Sequence, residues 1–151
     1  MLKKIGSRLK EQKGFTLIEL LAVIVILGII AAIAIPAIGN VISKSDDKAK
    51  VQEALLIIDA AKMFVADNHP SGATTTLTKD TTTADAAETA TLPTNGLTDY
   101  LDRVDDSSFS VTVTKTATGY TYAISGHAAN EVGEAADIPD SASEDDLLGY
   151  N

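Results

Sequence analysis

The chain has 151 residues, 22% charged and 45% hydrophobic, a size for one domain and a composition that would be ordinary if its apolar residues were evenly spread. Its net charge of −9 repels phosphate backbones and so weighs against direct nucleic-acid binding. With no cysteine, disulfides, thiol redox chemistry and Cys-type zinc sites are excluded.

Residues 1–14 are polar and basic. Lys3, Lys4, Arg8, Lys10 and Lys13 against Glu11 give +4, and the rest of the chain, with 7 Lys and Arg against 20 Asp and Glu, carries −13. Residues 20–43 then contain no charge; as a helix these 24 residues would measure about 36 Å, enough to cross a hydrocarbon core of about 30 Å. A soluble alternative would bury that helix on all sides, and the residues beyond Pro70 are too few to wrap it. Charge asymmetry then predicts a cytoplasmic basic end and an exported acidic remainder.

A secretory signal carries its small-residue cleavage site after the apolar region. Here the processing-like glycine, Gly14, precedes it, so a cut there would leave the apolar segment on the mature chain and free an amine at Phe15. Glu19 follows four residues later. An ionised carboxylate near the end of a spanning helix needs a partner. The Phe15 amine is one, and the positive end of the helix dipole favours the same charge; the alternative is that Glu19 snorkels to the headgroups.

The stretch Lys13-Gly14-Phe15-Thr16-Leu17-Ile18-Glu19-Leu20-Leu21, after a basic leader and before an apolar helix, resembles the prepilin signature of bacterial type IV pilins and their pseudopilin relatives. The likeness covers the leader and the apolar helix and thins beyond them to general architecture. It implies cleavage between Gly14 and Phe15 by a prepilin peptidase, N-methylation of Phe15, and a Glu19 that neutralises the amino terminus of a neighbouring subunit. Pro36 falls where family members carry a helix-disturbing proline. As partners the resemblance implies that peptidase, a platform membrane protein and a cytoplasmic assembly ATPase.

Physical argument runs in the same direction. Out of lipid, residues 15–35 must bury their apolar surface, and copies of the same helix are the adequate partners; head-to-tail copies make a non-closing contact, which is a filament. Gly28, Pro36 and Gly39 either loosen the helix or, for the two glycines, allow close packing.

From residue 44 to 68 the pattern turns amphipathic, with Val51, Ala54, Leu55, Ile58, Ala61 and Val65 on one face, and Asn68-His69-Pro70-Ser71-Gly72 ends it. Residues 73–91, nine of them threonine, read as a solvated loop with at most a short hairpin, and the loop is taken as 70–96. Leu97, Tyr100, Leu101 and Val104 predict a short helix over 97–104. Alternation of Phe109, Val111 and Val113, then of Tyr120, Tyr122 and Ile124, predicts an antiparallel hairpin over 109–125. Residues 126–151 form an acidic tail, either wrapped on the sheet edge or loose.

Catalytic patterns do not emerge. His69 and His127 are isolated and read as surface residues. There is no GxSxG elbow and no phosphate-binding glycine loop. Asp137, Asp140, Glu144, Asp145 and Asp146 offer oxygens to calcium without the spacing of an EF-hand, and a solvated tail is the favoured reading. No cofactor is expected.

The expected protein is a non-enzymatic α+β pilin-like subunit. It has a leader at 1–14, a membrane-spanning and filament-core half-helix at 15–43, and an exported domain at 44–151, whose amphipathic half-helix packs on a small antiparallel sheet. It would be anchored in the cytoplasmic membrane before assembly and lie in a surface filament afterwards. A pseudopilin of a secretion or competence machine is the alternative; a tethered binding module is the other class.

Overall fold

The computed structural model describes residues 16–84, 92–104, 106–132 and 138–150. The leader expected at 1–14, with Gly14 and Phe15, lies outside the described residues. Two compact units are present, Met1–Ile42 and Ser43–Asn151, and helix α1, Leu17–Asn68, contributes to both.

In the first unit the helix is apolar all round, and its side chains are exposed: Leu17 is 86% and Ile33 70% accessible. It runs through Pro36 without interruption. An added Cβ at Gly28 or Gly39 would meet open space, so neither glycine is needed for packing within the chain.

In the second unit the same helix buries Val51, Ala54, Ile57, Ile58, Ala60, Ala61, Phe64 and Val65. Leu55 is only half-buried, at the margin. Ile57, Ala60 and Phe64 widen the predicted stripe, and Phe64 carries its largest ring, meeting Tyr100 edge-on at 5.9 Å. The helix stops where His69 takes a left-handed φ of 47° and its N–H still bonds to the Val65 carbonyl at 2.9 Å. Asn68 Nδ2 donates to the Phe64 carbonyl and the Tyr100 hydroxyl to Asp67, so the last turn is held from two sides.

Five antiparallel strands pack on this face in the order β2-β1-β3-β4-β5. They are β1 Thr74–Leu77, β2 Thr82–Thr83, β3 Ser110–Thr116, β4 Gly119–Ser125 and β5 Ser141–Ser143. The central hairpin pairs Val111 with Ile124 and Val113 with Tyr122. Alternation puts Val111, Val113 and Ile124 in the core beside Leu77, Phe109, Ala142 and the helix stripe.

Two expectations are corrected and one made definite. The threonine-rich segment carries the short hairpin left open for it: its first part forms β1 and β2, with Thr75 and Leu77 buried against β3. β-branched threonine suits a half-buried pleat even where little else is apolar. The short helix over 97–104 is a single turn, closed by Leu101 N–H to the Leu97 carbonyl at 3.0 Å. Leu97 and Val104 reach the core without it, and Gly96, at φ 54°, turns the chain where a Cβ would lie 2.6 Å from Thr81 N. The acidic tail is neither loose nor merely wrapped. It carries a 3-10 turn at Ala128–Glu131, strand β5 and helix α2, Glu144–Leu148, burying Ala129, Val132, Ile138, Ala142 and Leu147.

Without disulfides this unit rests on packing, and Phe64 is the test. Phe64→Ala should cost about 3–5 kcal/mol and Met63→Ala, on the exposed face, under about 0.5. Denaturant unfolding of the chain in micelles, followed by tyrosine fluorescence, should separate the two.

Candidate functional site

At the start of α1 the backbone leaves several N–H groups without helical partners. Glu19 Oε2 accepts from the Thr16 N–H at 2.8 Å and from the Thr16 hydroxyl at 2.9 Å, while Thr16 Oγ1 accepts from the Glu19 N–H at 3.3 Å. Thr16-Leu17-Ile18-Glu19 is thus a capping box, a pattern visible in the sequence that the reading of Glu19 as a search for an amine partner overlooked. Both side-chain bonds use Oε2. Among the described residues Oε1 has no donor, and the carboxylate is fully exposed.

Beyond it, α1 is long and apolar enough to cross a membrane, by length and composition. Residues 17–42 are exposed but for a half-covered Ala34, and Glu19 is the single charge among them. A carboxylate fixed at the positive end of an uncovered apolar helix is no catalytic arrangement. It is a fixed charge beside a large exposed apolar surface.

A family model described as a prokaryotic N-terminal methylation motif matches residues 9–35. A type IV major fimbrial protein, FimA, of Dichelobacter nodosus is 46% identical over 65 residues, 43% of this chain and 38% of that protein. A fimbrial protein of Moraxella nonliquefaciens is 45% identical over 64 residues, 42% of this chain and 39% of that one. Over its amino-terminal segment the chain is similar to type IV fimbrial proteins. It spans about two fifths of the length of these curated relatives. No solved structure matches it significantly.

The described carboxylates considered for calcium do not converge. Asp137 lies outside the described residues, and among those described no group of three or more His, Asp or Glu is placed to hold a metal ion. Asp146 is used locally: its Oδ2 accepts from the Ser143 N–H at 2.8 Å and hydroxyl at 2.6 Å, capping α2, and the hydroxyl bond first, then the backbone bond, lowers its pKa. Glu144 takes Lys62 of α1 at 2.5 Å, and that bond raises the lysine pKa above its ordinary value, with Asp59 adding to it. Asp140 instead lines an open cleft of about 450 Å³ with Asp106, Glu131 and His127.

His69 is exposed, but His127 corrects the surface reading: it is 2% accessible, with its ring edge-on to Phe109. Its Nδ1 accepts from the Ala129 N–H at 3.1 Å and caps the 3-10 turn. A lone histidine in an acidic tail carries no sequence signal for burial, although Asn130 three residues later completes the cap.

Among the described residues no metal site holds the fold, so its stability is expected not to depend on calcium. Unfolding midpoints in EDTA and in excess calcium are expected to coincide, whereas Lys62→Met, breaking the tie from α1 to α2, should cost about 0.2–1 kcal/mol in both. The raised lysine pKa gives the sign: this contribution is complete below the unfolded lysine pKa and disappears as pH climbs through the folded one.

Proposed function

We propose that this chain is the structural subunit of a type IV pilus, made as a membrane-anchored precursor. Prepilin peptidase cuts between Gly14 and Phe15 and methylates the new amine; a platform protein and a cytoplasmic ATPase then drive polymerisation into a surface filament. The observation that carries this is the exposed apolar stretch 17–42 with one carboxylate at its head. Lipid covers such a helix before assembly, and neighbouring copies cover it afterwards. That the relatives are named fimbrial proteins favours a pilus over a secretion pseudopilus.

The capping box sharpens the role of Glu19. In the single subunit Oε2 is satisfied by Thr16, so the carboxylate is oriented before a partner arrives. Oε1 is the atom left to receive the Phe15 ammonium of a neighbour. Moved into a helix bundle, that ammonium without a carboxylate would be an unpaired buried charge. Gly28 and Gly39, with open space at their Cα atoms, suit close approach of neighbouring helices, and Pro36 is the point at which the helix can yield.

Intact-mass measurement of sheared surface material should give a chain beginning at methylated Phe15; a different terminus would overturn the processing. Gly14→Ala is expected to leave full-length precursor in the membrane. Glu19→Ala should leave processed subunit in the membrane and lower filament yield by about tenfold or more, since a lost buried partner exceeds the free energy of a tenfold change. Normal filament yield would rule out the pairing.

A further inference from the structure

We propose that His127 is a proton-operated latch on the carboxyl-terminal edge of the sheet. Because Nδ1 accepts the Ala129 N–H, the ring is neutral with its proton on Nε2. That Nε2–H is buried and has no hydrogen-bond partner among the described residues; the nearest acidic oxygen is Glu53 Oε2 of α1 at 3.7 Å. One ring nitrogen is therefore bonded and the other is held just short of a carboxylate.

Protonation reverses this. With a proton on Nδ1 the ring can no longer accept from Ala129, so the cap of the 3-10 turn breaks, and the cation gains attraction to Glu53. The turn matters beyond itself. Asn130 Oδ1 accepts from the His127 N–H, and its Nδ2 donates to the Ile124 carbonyl in β4 at 3.3 Å and to the Pro139 carbonyl before β5 at 2.8 Å. Opening the turn releases the clamp between the last two strands.

The charged groups around the ring all favour its cationic form. Glu53 faces it from α1 and Asp106 from the segment before β3; Glu131, in the turn, and Asp140, before β5, line the same cleft, through which solvent protons have access. Asp106 is held ionised by the Ser108 N–H at 2.7 Å. Against them stands burial, the largest influence, which lowers the His127 pKa. A base whose folded pKa is depressed leaves stability complete above its unfolded value and loses it as pH falls through the folded one. The latch is closed at neutral pH and opens in acid.

The test is hydrogen exchange by mass spectrometry on the full chain in micelles, comparing wild type with His127→Asn at each pH. Asparagine caps a turn without titrating. Wild-type exchange over 128–132, relative to the variant, should rise about tenfold between about pH 7.5 and about pH 5. A ratio that stays constant overturns the latch. Should His127→Asn not fold, Glu53→Gln serves: with the facing charge removed, the His127 titration midpoint, read by the imidazole proton resonance, must move to lower pH. An unmoved midpoint overturns the proposal.

Discussion

Over residues 17–42 α1 turns aliphatic side chains outward on every side, and no other part of their unit covers them. At about 25 cal/mol per Å² of apolar surface, no monomer in water tolerates a helix of this kind uncovered. Lipid or other helices must supply the cover. Once that is accepted, the single carboxylate at the head of the stretch acquires meaning: in either environment it must be oriented and hydrogen-bonded, as Thr16 does for it here.

The second half of the same helix obeys a different rule. After Ser43, charged residues return at intervals and the apolar set contracts to one face, which the sheet covers. Val51 through Val65 give the second unit its core without cysteine, and the ends of the chain segment are tied by polar contacts that cost little to satisfy at a surface. Tyr120 donates to the Pro70 carbonyl at 2.7 Å, and Lys79 reaches the Val104 carbonyl at 2.6 Å. Burying many small and medium side chains on one helical face does here what disulfides do in many small domains.

What was readable in the sequence followed from strong periodicity. The uncharged run, the change to an amphipathic face after residue 43, and the alternation at Phe109-Val111-Val113 each carry one signal repeated several times, and each has its counterpart in the structure. Elements resting on partners far along the chain were not readable. Thr74–Leu77 becomes a strand because β3 offers an edge, and Ser141–Ser143 because β4 does; neither is apolar enough to announce itself. At the candidate site the reverse happened. The charge of Glu19 is evident in the sequence, whereas its local bond to Thr16, three positions back, rests on the helix start that the fold sets. His127 lay beyond pattern reading altogether, since its burial depends on Phe109 and Glu53, which only the fold brings to it.

The sheet edges bear on how the second unit meets other chains. An exposed strand edge is a template for pairing with another chain. Here the two edge strands are short, β2 of two residues and β5 of three, and they are built of Thr, Ser and Ala. After β5 the chain turns at once into α2, whose Ser143–Asp146 capping box draws the edge-strand N–H of Ser143 into a side-chain bond. Neither edge offers the long, flat, apolar ladder on which strand addition depends. Among the described residues the larger uncovered surface is instead the apolar length of α1, with its single carboxylate at Glu19.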